Sequence, residues 1–320
     1  MASSLKQDVL ESIIKKTEKG NIDNISRTVF YEAFYNRNPE IRWALLAGLV
    51  SRNAGWNMTD LESKWFQKLL NENDRRVVFS TYERANWTIF QDAFPQLLIY
   101  EWSKKSGEPL FHFLPKFGVS RFMEREWKMF WERRDEHRLC TALIINEQNV
   151  IQKPVLEDPV YEKHVFSTLR YFLEEHAHFS YVLFPTRTGE LYGFYVRNFR
   201  KVESRIWLGK QLEMLLFHPD IYGKIIDFQK HTVHTGSRKD YEQFLNWETQ
   251  NNSPLLRLTY PIIKHEYSKN KTDWYKRETR ALKKMFIPVK EQTPQERTNW
   301  VRRKQLELYY AGKIKDWLND

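Results

Sequence analysis

The fold class that this sequence predicts is mainly α: a multi-helix globular protein with one small β-hairpin near residues 181–199. Three observations carry that prediction. Apolar residues recur at three- and four-residue spacing through most of the first 180 positions. Only 11 Gly and 12 Pro punctuate 320 residues, too few for a loop-rich or all-β chain. One stretch, YVLFPTRTGELYGFYVRNF (181–199), instead alternates and is rich in Tyr, Phe and Val around a Gly-containing turn.

The elements follow in order. Leu5, Val9, Leu10, Ile13 and Ile14 line one side of a first helix that Gly20 can stop. A second helix covers 24–36, with Asn24 or Ser26 as its cap. A third is expected over 38–55, with Asn38 as N-cap, Pro39 in the first helical position and Glu40 in the first turn. Further helices are read over 59–73, over 74–94 with Pro95 kinking or ending it, and over 95–107 up to Gly107. Residues 120–152 form one long helix or two meeting near Asp135, and 159–179 form another. After the hairpin, helices are expected over 203–219 and 220–231. An irregular stretch carrying Pro254 and Pro261 comes next. A last helix is capped by Thr293, opened by Pro294 and runs to about Leu318. No period of 20–50 residues repeats. Residues 1–320 read as one globular unit. Sub-lobes 1–178 and 179–320 would meet where the pattern changes, near Phe179.

Composition narrows the class of function. A hydrophobic fraction of 41% and 12 Trp make a disordered chain implausible. Cys140 is the single cysteine, which excludes an intrachain disulfide and a multi-Cys zinc site. The first 20 residues lack the apolar core of a signal peptide, and no run approaches the ~18 apolar residues of a membrane span. A cytoplasmic setting is the expectation. The net charge of +10 is concentrated at the end of the chain: residues 264–320 carry 15 Lys/Arg against 8 Asp/Glu, an excess of seven. Such a region attracts nucleic acid, an anionic lipid surface or an acidic protein.

Four separated motifs, NPEIRWALLAGLVSRNAGWNMTDL, LIINEQN, VLFP and HTGSRKDY, occur in that order. Together they resemble the YppC-like family of Firmicute proteins, a domain of unknown function (number 2515), over most of the chain. The resemblance implies a bacterial, intracellular protein. It supplies no catalytic residues, so chemistry must be argued from the residues themselves.

The stretch SRNAGWNMTD (51–60) is the first candidate. Aligned on the helix end of lysozyme-like hydrolases, it puts Arg52 where a catalytic glutamate belongs. A guanidinium has no proton to lend to a leaving group, so that reading is disfavoured. The structural alternative is a joint. Gly55 would stop one helix, Thr59 and Glu62 would form a capping box for the next, and Trp56 and Met58 would pack across. Asn57 and Asp60 make a weaker box. Arg52, Asn53, Asn57 and Asp60 are then the side chains available to face a pocket.

In HTGSR, Gly236 permits a tight turn and Ser237 can cap a helix beginning at Arg238. His234, Ser237 and Arg238 become anion-binding candidates. Asn146 and Asn149 share a helix face, and Glu147 between them is a carboxyl whose pKa rises if it is buried. Glu175 and His178 have di-iron spacing without a second Glu-x-x-His, so no metal site is expected. Cys140 reads as a small core residue. No nucleophile elbow, HExxH, CxxC or dinucleotide glycine pattern occurs, and no cofactor is called for. The function expected is a non-enzymatic binding or scaffold protein with a polyanion-attracting C-terminal region. The alternative is an enzyme whose polar cleft joins the SRNAGWN, NEQN and HTGSR segments.

Overall fold

The computed structural model describes residues 2–158, 181–195, 198–249, 251–266 and 273–319. The helix and site candidates expected between 159 and 179, Glu175 and His178 among them, lie outside the described residues.

The chain begins with α1 (Ala2–Gly20) and α2 (Asn24–Arg37). The cap of α2 is Asp23, one residue before the expected Asn24, and it accepts from the Ser26 N–H at 2.7 Å. Asn38, expected to open the next helix, instead closes α2: its N–H bonds the carbonyls of Phe34 and Tyr35. Helix α3 (Arg42–Asp60) starts at Arg42 without a side-chain cap.

The larger correction concerns Gly55. Helix α3 runs straight through it to Asp60, so SRNAGWNMTD is the last half of a helix and not a joint. Glycine inside a helix costs about 1 kcal/mol against alanine, but from Trp43 to Asp60 every residue except Val50 is buried. Packing on all sides outweighs the local preference. Nor does space demand a glycine there: a Cβ would make ordinary contact with His234 Cε1 at 3.4 Å and Gly236 Cα at 3.5 Å. Thr59 makes no capping box either. Its hydroxyl donates to the Gly236 carbonyl at 2.7 Å.

The segment read as a helix over 59–73 is reduced to α4 (Lys64–Leu69). Helix α5 (Glu72–Ser106) follows, capped by Asn71, which accepts from Asp74 N–H at 2.9 Å. It passes through Pro95 without ending there, because Phe90, Phe94, Leu97 and Leu98 are all deep in the core and hold both halves in line. Gly107, at φ 75°, ends it as expected. A 3-10 turn (Phe111–Phe117) leads to α6 (Arg121–Arg133) and α7 (Glu136–Val150). The expected junction is present: Asp135 caps α7 by accepting from Arg138 N–H at 2.9 Å.

The hairpin is also present. Strand β1 (Tyr181–Pro185) pairs antiparallel with β2 (Leu191–Tyr195), with Leu183 opposite Gly193. Gly189, at φ 92°, makes the turn. Helices α8 (Val202–Leu216) and α9 (Pro219–His231) follow. The last helix, α10, spans Thr298–Asn319 and so starts later than Thr293 and Pro294 suggested. Among the described residues these two strands form the sheet, and helices supply the rest of the core.

The main core cluster runs from Leu10 and Ile13 to Leu282 and takes in Cys140, which is free and buried. A second cluster joins Met58, Trp65, Phe66 and Phe79 to Leu256 and Leu308. A third joins Trp56 to Tyr181, Leu183, Phe228, Tyr241 and Val301. Helix α3 therefore contributes to all three, and its polar half sits where they meet.

Candidate functional site

Burying the polar half of α3 obliges its side chains to find partners inside the protein. Arg52 and Trp56, one helical turn apart, both turn toward Asp240. The Trp56 indole donates to Asp240 Oδ2 at 3.0 Å, and Arg52 Nη2 stands 3.8 Å from the same oxygen. Arg52 also donates to the carbonyls of Thr232 (2.8 Å) and Val233 (3.0 Å) and lies over the Phe228 ring. Burial pulls its guanidinium down to about 10, and the Asp240 charge only partly offsets this. His234 Nδ1 lies 3.2 Å from Asp240 Oδ2, yet burial holds the imidazole below its usual range.

Arg238 is equally committed. Its Nε pairs with Asp60, Nη2 donates to Asn57 Oδ1 at 2.8 Å, and Nη1 donates to the Tyr241 hydroxyl at 2.9 Å. Burial alone would lower this guanidinium, but the neighbouring Asp60 charge prevails and raises it. Asp60 takes a further bond from Asn251 Nδ2 at 3.1 Å. Ser237 is fully buried and donates to the Ser253 carbonyl at 2.7 Å. The helix it was expected to cap at Arg238 is a four-residue turn, Lys239–Glu242. The anion that meets Arg238 is thus a carboxylate of the chain itself, contributed by the end of α3.

Asn53 does a different job. Its Nδ2 donates to the Tyr181 carbonyl at 3.1 Å, and its Oδ1 accepts from Leu183 N–H at 3.0 Å. One side-chain amide thereby pairs with both backbone groups of β1, as a neighbouring strand would. The edge of β2 is covered in turn, where Arg297 N–H donates to the Leu191 carbonyl at 2.7 Å.

Asn53 and Asn57, also one turn apart, line a cavity of about 170 Å3 together with Glu147. Its polar wall adds Tyr31, Tyr82 and Gln148, and its apolar wall includes Leu46, Val50, Ile89 and Leu212. Arg52, Asp60, His234, Ser237 and Arg238 do not line it. The three segments of the alternative reading are therefore not walls of one cleft: SRNAGWN and NEQN meet there, while HTGSR packs into the Asp240 and Asp60 networks. Glu147 accepts from the Trp43 indole at 3.1 Å and from Gln148 Nε2 at 3.0 Å. Burial pushes its carboxyl up to about 7, against the pull of those two donors. Asn146 points elsewhere. It donates to Asp92 Oδ2 at 2.6 Å and accepts from Ser120 and Trp274, a buried structural network. Asn149 bonds back to the Ile145 carbonyl of its own helix at 2.8 Å. Tyr31, Trp43 and Tyr82 escaped sequence reasoning. The only hint was a phenol within the core-facing pattern of FYEAFY, where an apolar ring carries a polar tip.

The basic C-terminal region has its own geometry. Helix α10 buries Val301 and Leu308 and packs on α4, with Trp65 against Tyr309 at 5.0 Å. Its other face is open. Leu306, Tyr310, Ile314 and Trp317 fall within one helical stripe, and all are exposed, Trp317 by 77%. Arg302, Arg303 and Lys313 lie on the same face, whereas Lys315, also exposed, projects from the opposite side of the helix. Arg303 reaches Glu307 at 3.7 Å, and Asp316 is drawn off to Lys68. Among the described residues, no group of three His, Cys, Asp or Glu could hold a metal ion. Among the described residues, no helix is long and apolar enough to cross a membrane.

A family model described as "Protein of unknown function (DUF2515)" matches residues 19–302. The chain is 47% identical over 311 residues to "Uncharacterized protein YppC" of Bacillus subtilis (strain 168), covering 97% of this chain and 96% of that one. No solved structure matches. A match over most of the length, with the hairpin, the buried half of α3 and the HTGSR turn all inside it, shows that the chain belongs to the DUF2515 family.

Proposed function

We propose that the chain is an intracellular binding protein that docks on an anionic lipid surface through the open face of α10. The observation that carries this reading is the exposed stripe of Leu306, Tyr310, Ile314 and Trp317 flanked by Arg302, Arg303 and Lys313. A helix lies in a membrane interface when one face offers aliphatic and aromatic side chains and its margins offer cations. Three basic residues near an anionic surface contribute about 3 kcal/mol at roughly 1 kcal/mol each. The apolar stripe separates a lipid surface from nucleic acid, which needs cations but gains nothing from Leu306 or Ile314. The free, buried Cys140 suits the cytoplasmic setting.

The test is co-sedimentation of the full chain with vesicles of phosphatidylcholine, with and without phosphatidylglycerol. Binding is expected only to the anionic vesicles and is lost at about 0.5 M salt. Trp317→Ala and the pair Arg302→Glu, Lys313→Glu should each weaken it. Equal binding to neutral vesicles, or none to either, refutes the proposal. So does duplex DNA binding that competes with the vesicles and is indifferent to Trp317→Ala.

A further inference from the structure

We propose that the cavity beside α3 binds a small amphipathic amine. Its ammonium would sit between the Glu147 carboxyl and the Tyr31 hydroxyl, and its apolar body would lie against Leu46, Val50 and Leu212. This inference is independent of the lipid-docking reading, since none of these residues is on α10.

The argument starts from what the cavity wall leaves unused. Tyr31 is 2% exposed, and its hydroxyl has no hydrogen-bond partner among the described residues. A buried hydroxyl without a partner is costly, and here it belongs to a residue that lines the cavity. Glu147 lines the same space. Both of its hydrogen bonds come from neutral N–H donors, Trp43 and Gln148, and no cation pairs with it among the described residues. The two groups share a neighbour without being bonded: Tyr31 packs edge-on against the Trp43 ring at 5.5 Å, and the Trp43 indole donates to Glu147. A donor placed between them would satisfy both.

The other charged groups on the wall are already engaged. Arg27 is held by both oxygens of Glu83, at 2.6 and 2.9 Å. Arg205 donates to four oxygens, from Phe199, Gln152 and both the backbone and side chain of Gln148. The group left to recognise a ligand charge is therefore a carboxyl, which selects a cation. The remaining wall is mostly aliphatic, which selects an apolar body. The volume of about 170 Å3 sets its size, because a dry cavity of roughly 150 Å3 accommodates a benzene ring.

The test is calorimetric titration of the full chain at about pH 8, where Glu147 is ionised, with benzylamine, n-hexylamine, benzyl alcohol and benzoate as probes. At least one amine should bind saturably at one site. Benzyl alcohol should bind about tenfold more weakly than benzylamine, and benzoate more weakly still. Glu147→Gln, which keeps an acceptor for Trp43, should erase the preference for benzylamine over benzyl alcohol. Tyr31→Phe should weaken amine binding, and Ala85→Leu, which fills the space, should reduce all probes alike. The proposal is overturned if neither amine binds saturably. It is equally overturned if benzyl alcohol matches benzylamine, or if Glu147→Gln leaves amine affinity unchanged.

Discussion

Glu147→Gln should raise stability at alkaline pH and leave it nearly unchanged in acid. The carboxyl ordinarily titrates at 4.5, and burial in the folded protein moves it to about 7. The folded state therefore holds the Glu147 proton more tightly than the unfolded chain does. Below pH 4.5 both states are protonated and the group is neutral in the balance. Between 4.5 and 7 the unfolded chain releases its proton first, and stability falls as pH rises. Above 7 the loss is complete. At about 1.4 kcal/mol per pH unit, the interval amounts to about 3 kcal/mol as an upper bound. The bonds from Trp43 and Gln148 are already contained in that shift, so an amide that matches the neutral carboxyl in acid removes the whole loss. The net gain at pH 8 is thus up to about 3 kcal/mol relative to the unmodified protein. Urea unfolding followed by tryptophan fluorescence, at intervals from pH 4.5 to 8, measures it. Glu242, which burial also pushes up to about 7, titrates in both proteins and cancels in the difference. Parallel stability curves for the two proteins would refute the reasoning.

Gly55→Ala should stabilise the protein by up to about 1 kcal/mol, since alanine is the better helix former and its Cβ would make only ordinary contact with His234. Had Gly55 ended the helix, the same change would destabilise, so the sign seen in urea unfolding decides between the two. Asn53→Ala should cost about 3 kcal/mol, because it strands the buried Tyr181 carbonyl and Leu183 N–H together; accelerated amide exchange at Leu183 is the direct readout.

What the sequence disclosed depended on how local the deciding physics was. Asp135 caps α7 through a bond to Arg138, three residues away, and Gly189 turns the hairpin within five residues, so both junctions were legible. Gly55 and Pro95 carry local signals for a stop that their burial overrides, and nothing nearby in the sequence announces it. Asn38 satisfies a helix end as expected, but the end belongs to α2 rather than α3. The candidate residues of α3 were found because polar groups on an apolar helix stand out. Their division was hidden. Arg238 finds Asp60 across 178 positions and Asn53 finds Tyr181 across 128, and no pattern in one chain reports such pairings. Tyr31 was overlooked because a phenol on a core face reads as apolar until its hydroxyl is seen without a partner.

The buried half of α3 also dictates when the protein can finish folding. Trp56 bonds Asp240 and Asp60 bonds Arg238 and Asn251, partners 178 to 191 residues further along the chain. As the polypeptide leaves the ribosome, α3 emerges early, and the groups that neutralise Arg52 and Asp60 are still unsynthesised. Until residues near Ser253 are free, sequestering α3 would strand two charges away from water. The final packing of α3 therefore requires that HTGSR has already been synthesised.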